Sequence, residues 1–201
     1  MKIYYSAASP YVRKVMVCAA ELGLQIERLP CAVGPVARDR TVVADNPLGQ
    51  VPTFFADDGT VLYDSRVICE YLDAQAGGAR LFPAPGPARW RALVEQGLGD
   101  GVLGAALLAR YETVLRPADK QWADWYDGQM DKVRCGLDRM LEWAPELNGR
   151  VDIGAITLGC ALGWLDFRYP GYAWRDGRGA LAQWFERFGS RPSMAGTRPG
   201  A

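Results

Sequence analysis

The stretch that decides the fold is Asn46-Pro47-Leu48-Gly49-Gln50-Val51-Pro52-Thr53-Phe54, followed after a turn by Asp64-Ser65. A proline has no amide proton for a sheet, so Pro52, which feeds the apolar run Thr53 to Ala56, belongs at a strand start or in a special turn. A cis Val51-Pro52 peptide suits that place, and it turns the Val51 N–H and C=O outward, free to pair with an extended ligand as a sheet edge does. Asp64-Ser65 precedes the helical run Arg66 to Ala74. Ser65 therefore lies near a helix N-terminus, where free N–H groups and the positive end of the dipole favour a carboxylate. Taken singly, Ser65 reads as an N-cap, Asp64 as a dipole-compensating carboxylate and Pro52 as a turn proline. Together they describe a receptor for a small acidic peptide.

Upstream, Lys2 to Tyr5 reads as a short strand, and Pro10 to Leu22 carries Val12, Val15, Met16 and Ala19 at helical spacing before Gly23 stops it. Gln25 to Leu29 returns to strand, and a short helix covers Pro35 to Ala44. Thr53 to Ala56 and Val61 to Tyr63 flank Asp57-Asp58-Gly59, a hairpin signal. The order β-α-β-α-β-β-α predicts a mixed sheet with helices on both faces and resembles a thioredoxin-like domain over residues 1–76. Residues 77–87, with Gly77, Gly78, Pro83, Pro85 and Pro87, read as a linker in which Leu81-Phe82 tucks into a groove.

Residues 88–201 read as an all-α domain. Trp90, Val94, Gly97, Gly101 and Ala105 share one helical face whose small residues let another backbone approach closely. After a break at Arg116-Pro117, Trp122, Tyr126, Met130, Val133, Leu137 and Leu141 mark a second long amphipathic helix. Asp152 opens an apolar helix, and Ala180 to Phe188 forms a further short one.

Composition narrows the chemistry. The 201 residues carry 23 basic and 23 acidic side chains, which gives no nucleic-acid surface and no attraction to an anionic membrane. The N-terminus lacks the apolar core of a signal peptide, and no run approaches the ~18 apolar residues that span a bilayer, so the expected location is cytoplasmic. Cys18, Cys31, Cys69, Cys135 and Cys160 are odd in number and widely spaced, which argues against a disulfide framework or a zinc site. There is no histidine, which removes Ser-His-Asp and Cys-His catalysis and histidine-based metal sites. Chemistry must come from a hydroxyl, a carboxylate, an arginine or a bound co-substrate, and no metal is expected.

In Ser9-Pro10-Tyr11-Val12-Arg13-Lys14, proline stands at the first helical position with serine ahead of it as N-cap. The same geometry lets the Ser9 hydroxyl donate to a thiolate and lower its pKa from the free value of about 8.5. Ser6 is an alternative donor. Arg13 reads as a packing residue or a surface ion-pair partner.

Asn-Pro-x-Gly-(Gln/Lys)-Val-Pro followed by (Glu/Asp)-Ser, together with Arg116-Pro117 and Arg191-Pro192-Ser193, resembles the cytosolic glutathione S-transferase superfamily. Ser9-Pro10-Tyr11 resembles the Cys-Pro-Phe of omega-like members, with serine replacing cysteine. The resemblance implies a thioredoxin-like half followed by a helical half, a catalytic Ser9, and glutathione as co-substrate. Val51, beside Pro52, would pair with the cysteinyl backbone of glutathione, Asp64 and Ser65 would hold its γ-glutamyl end, and Gln50 would reach its glycyl end. Asp100 resembles an aspartate that crosses a homodimer interface to the γ-glutamyl amine. A small apolar electrophile would occupy a cleft between domains lined by Tyr11, Leu103, Leu107, Tyr111 and Trp164, and the implied role is detoxification. The alternatives are a non-catalytic binding protein of this fold, and thiol-disulfide exchange, which would want a cysteine at position 9. One departure concerns the buried helix: Asp152 would cap it, but Ala155 stands where a capping box has its second member.

Overall fold

In the computed structural model of the protein, which describes residues 1–200, strand β1 (Lys2–Tyr5) is the hub of a four-stranded sheet. It runs parallel to β2 (Glu27–Pro30), with Tyr4 opposite Leu29, and antiparallel to β3 (Phe54–Phe55), which pairs with β4 (Val61–Leu62). Helix α1 (Pro10–Leu22) starts and stops where the sequence predicts. Pro10 fills its first position, and Gly23, at φ 73°, turns the chain left-handed and gives its N–H to the last turn. Helix α2 is shorter than the expected Pro35 to Ala44, spanning only Arg40–Asp45. The Asp39 carboxylate fixes that start, accepting from Thr41 N at 2.9 Å with one oxygen and from Ala32 N at 2.8 Å with the other. Helix α3 (Ser65–Gln75) packs on α1, and Ile68, Cys69 and Leu72 of α3 and Val12, Val15 and Cys18 of α1 are all buried.

The helical unit consists of α4 (Pro87–Val114), α5 (Ala123–Trp143), α6 (Ile153–Arg168) and α7 (Gly179–Gly189). Helix α6 is its axis, buried without interruption from Ile153 to Leu165. The α4 backbone comes close at Gly99, where a Cβ would lie 2.8 Å from Thr157 Cγ2. On the face expected to admit another backbone, Gly97 and Gly101 are exposed with nothing near within the chain, and Ala105 is buried. By length and composition α4 is apolar enough to cross a membrane, a property the sequence reading did not assign; half of that stretch is buried inside the protein, where it supplies the helical core. Asp152 caps α6 as predicted, accepting from Ala155 N at 3.0 Å. The missing half of the capping box is replaced. Asp152 Oδ2 takes Arg150 Nη2 at 2.7 Å, and Arg150 in turn reaches the buried Glu95 at 2.6 Å.

Helix α8 (Pro192–Ala195) returns to the first unit. Arg191 pairs with Glu21 of α1 at 2.8 Å, Ser193 bonds the same carboxylate, and Gly200 N reaches Ala7 O at 3.4 Å. The two compact units are therefore Met1–Arg89 with the described residues from Arg191 onward, and Trp90–Ser190. This division differs from the expected 1–76, 77–87 and 88–201. The supposed linker belongs to the first unit because the buried Asp73 carboxylate accepts from Leu81 N at 2.7 Å, and Leu81 and Phe82 are themselves buried. Each unit has the predicted character, α/β thioredoxin-like and all-helical respectively.

Candidate functional site

Three segments of the first unit carry the predicted site residues. The first is the turn from β1 into α1. Ser9 Oγ accepts from Val12 N at 3.2 Å, and the Ser9 carbonyl accepts from Arg13 N at 3.0 Å. The serine caps the helix only by accepting, and its hydroxyl proton has no partner among the described residues. The structural and chemical readings of Ser9 are therefore compatible, since a hydroxyl both accepts and donates. The Ser6 carbonyl closes the turn, accepting from Ser9 N at 3.1 Å.

The second segment is the loop 46–53. Asn46, 2 % exposed, holds it from inside: Nδ2 donates to Gln50 O at 3.2 Å and to Thr53 Oγ1 at 2.9 Å, while Oδ1 accepts from Leu48 N at 3.1 Å. Thr53 Oγ1 donates to the same Gln50 carbonyl at 2.8 Å. Gly49 is required twice over: its φ is +62°, and a Cβ there would meet Val43 Cγ2 at 2.9 Å. The Val51-Pro52 peptide is cis. Pro52 is buried, Val51 is half-buried, and the Val51 N–H and C=O have no partner among the described residues. The Gln50 side chain is exposed.

The third segment is the start of α3. Asp64, not Ser65, is the N-cap, accepting from Arg66 N at 2.9 Å. The peptide between Tyr63 and Asp64 is also cis. The Asp64 carboxylate faces the Arg66 guanidinium, with Nη2 to Oδ2 at 2.8 Å and Nε to Oδ1 at 3.2 Å. That guanidinium holds the Asp64 carboxyl below its ordinary range against the opposing effect of burial, with help from the Arg66 N–H and the Lys14 charge. Ser65 occupies the first helical position, 3 % exposed, and its hydroxyl has no partner among the described residues.

Several residues shape this unit in ways the sequence reading did not assign. Asn46 and Thr53 form the loop's internal bonds, Arg66 positions Asp64, and Arg13 and Lys14 are buried cations. A wheel through Pro10, Arg13, Lys14 and Val17 places all four on one buried face, which was the available signal. Arg13 makes no surface ion pair. Cys31 Sγ donates to Tyr5 O at 3.3 Å beside the turn into α1, and burial pushes its thiol up.

The remaining predicted residues lie in the helical unit. Asp100 is half-buried on α4. Leu103 and Trp164 are enclosed in the helical core, whereas Leu107 and Tyr111 keep accessible surface. Burial pushes the Tyr111 phenol up.

Comparisons with known proteins place the chain among relatives. Residues 3–80 match the glutathione S-transferase N-terminal domain, and residues 92–187 match the glutathione S-transferase C-terminal domain. A glutathione transferase family member from Pseudomonas fluorescens Pf-5, solved with bound glutathione, superposes with a TM-score of 0.96 at 46 % identity, covering 100 % of this chain and 99 % of that one. A second structure from that source, with bound S-(propanoic acid)-glutathione, has a TM-score of 0.92 at 45 % identity over 100 % and 99 % of the chains. YibF of Escherichia coli K12, described as an uncharacterized GST-like protein, is 30 % identical over 99 % of this chain and 98 % of its own length.

Proposed function

The chain belongs to the glutathione S-transferase family, and from that premise we propose that it binds glutathione and activates its thiol for attack on a small apolar electrophile in the cytoplasm. The observation that carries this reading is the Ser9 hydroxyl, fixed by its cap bond to Val12 N while its proton stays free to donate. Glutathione bound along Val51 would exchange cysteinyl backbone bonds with that residue's unpaired N–H and C=O. Its γ-glutamyl end goes to Asp64 and the Ser65 hydroxyl, and its glycyl end to Gln50. Asp100 of a partner copy meets the γ-glutamyl amine in a two-fold dimer.

The thiol sulfur then sits at the N-terminus of α1, where the Ser9 O–H and the helix dipole favour the thiolate. The thiolate attacks the electrophilic carbon. A C–S bond forms, and the displaced electron pair departs with a leaving group or is quenched by a proton from water. The bound S-(propanoic acid)-glutathione of the Pseudomonas relative is a thioether of the kind such a reaction yields. For the electrophile's contacts we carry forward Tyr11, which keeps accessible surface at the start of α1.

The test is Ser9→Ala. Glutathione affinity measured by calorimetry should stay within a few fold, while the bound thiol's pKa rises and conjugation slows roughly tenfold to a thousandfold, as for loss of one preorganised donor. An unchanged thiolate titration would transfer the role to Ser6 or to backbone groups. Absence of glutathione binding by the natural chain would overturn the proposal.

A further inference from the structure

Two arginines converge where the C-terminal turns of α4 and α6 meet inside the helical unit. The Tyr169 hydroxyl, at the C-cap of α6, donates to the Ala106 carbonyl of α4 at 2.6 Å. Arg110 lies one turn beyond Ala106 on the same face of α4, and Arg168 directly precedes Tyr169. Both arginines are half-buried, and neither side chain makes an ion pair or hydrogen bond among the described residues. The Arg168 guanidinium lies over the Phe167 ring at 4.0 Å, which covers its face and leaves its in-plane N–H donors unused. Elsewhere the chain treats a secluded guanidinium differently: Arg150 lies between Glu95 and Asp152.

The surroundings supply no anion. The charged groups acting on Arg168 are Arg110, of the same sign, and the Tyr111 phenol; burial and the like charge loosen the Arg168 proton. Burial pushes the Tyr169 phenol up to about 12 and raises that of Tyr111, so both remain neutral hydroxyls. Glu112 is taken by Arg116 and the Trp122 N–H, and Asp166 by Arg175 and Trp174 Nε1. Arg168 stands in the last turn of α6, where a cation complements the helix dipole, but Arg110 has no such role on α4. Two like charges partly withdrawn from water cost stability, and an oxyanion between them removes that cost.

We infer that the C-terminal turns of α4 and α6 form a binding site for an aromatic carboxylate, its oxygens held by the Arg110 and Arg168 guanidiniums and its ring by the adjoining tyrosines. A guanidinium fork matches a carboxylate with two parallel bonds. The half-buried rings of Tyr111, Phe167 and Tyr169 favour a ligand with a flat apolar body over a fully hydrated phosphate. The site lies wholly within Trp90–Ser190 and does not depend on the thiol chemistry assigned to Ser9.

The test uses para-fluorobenzoate, which carries neither a thiol nor an electrophilic carbon, so its outcome is separate from that of the transferase reading. Broadening of its fluorine resonance by the natural chain should titrate in the millimolar range or below. The neutral para-fluorobenzamide, of nearly the same shape, should bind at least roughly tenfold more weakly. Arg110→Gln and Arg168→Gln should each weaken the acid by roughly tenfold or more, the loss of charge-assisted bonds. Should a glutamine variant fail to fold, as judged by circular dichroism, lysine at that position keeps the charge but loses the fork and should still weaken the acid severalfold. Absence of titration, equal affinity for acid and amide, or unaltered binding in the folded variants would overturn the inference. Inorganic phosphate that displaces the probe as well as unlabelled benzoate does would overturn it in favour of a phosphate site.

Discussion

At Asp64 one carboxylate caps α3, holds the Arg66 guanidinium and is the group assigned to the γ-glutamyl end of glutathione. Because Arg66 keeps its carboxyl below the ordinary range, Asp64 remains ionised as pH falls through about 4, and its attraction for an ammonium is lost only below that. Arg66→Gln should return Asp64 toward its ordinary range, so that glutathione binding weakens at higher pH than in the natural chain. Calorimetric titrations of both proteins between about pH 3 and pH 7 would show the acid limb move upward, and coincident limbs would remove Arg66 from the site. The Ser9 cap was legible in the sequence because capping is local, written in which residue precedes a helical run, whereas at α3 the cap fell to Asp64 and not to the Ser65 read there. The roles of Asn46 and Arg13 were not legible. The loop role of Asn46 rests on bonds to Gln50 and Thr53, and the burial of Arg13 depends on a chain segment some 181 residues away.

Helix α6 shows how an element recovers from an incomplete local signal. Ala155 cannot complete a capping box, yet the second Asp152 oxygen is fixed by Arg150, which also neutralises Glu95 on α4. Glu95 is 1 % exposed, so removing the guanidinium strands a charge. Arg150→Met should destabilise the protein by about 3 kcal/mol or more, the cost of breaking a buried pair from one side. Urea denaturation would reveal it as a lowered midpoint. A loss under about 1 kcal/mol would mean that Glu95 finds another partner or reaches water. Helix α1 was read to the residue because Pro10 and Gly23 are local punctuation. The start of α2 was misplaced because Asp39 gains half its bonding from Ala32, beyond the reach of any helical period.

For the molecule as a whole, the fold class and the character of each unit followed from the alternation of periods and the order of turns. The boundaries did not, because the ion pairs of Arg191 with Glu21 and the burial of Leu81 and Phe82 are tertiary. Trp90 and Val94 stand 67 % and 60 % exposed on the α4 face that carries Gly97 and Gly101. A patch of that kind suits burial by a second copy. In light scattering at micromolar concentration the natural chain should be a dimer and Trp90→Glu a monomer with weakened glutathione affinity. A monomeric natural chain would end the assignment of Asp100 to a partner's site.

The return of the last residues to the first unit bears on how the protein is made. A ribosome delivers the sheet and α1 first, but Glu21 waits 170 residues for Arg191. At cellular elongation speeds of about 5 to 20 residues per second, that is roughly 10 to 30 seconds during which the N-terminal unit is unfinished. The helical unit, continuous in sequence from Trp90 to Ser190, emerges whole before its predecessor can close. Vectorial synthesis thus reverses the order of completion, and a chain released early lacks the segment that reaches the turn at Ala7, two residues before Ser9. Translation has to pass Arg191 before the first unit is whole.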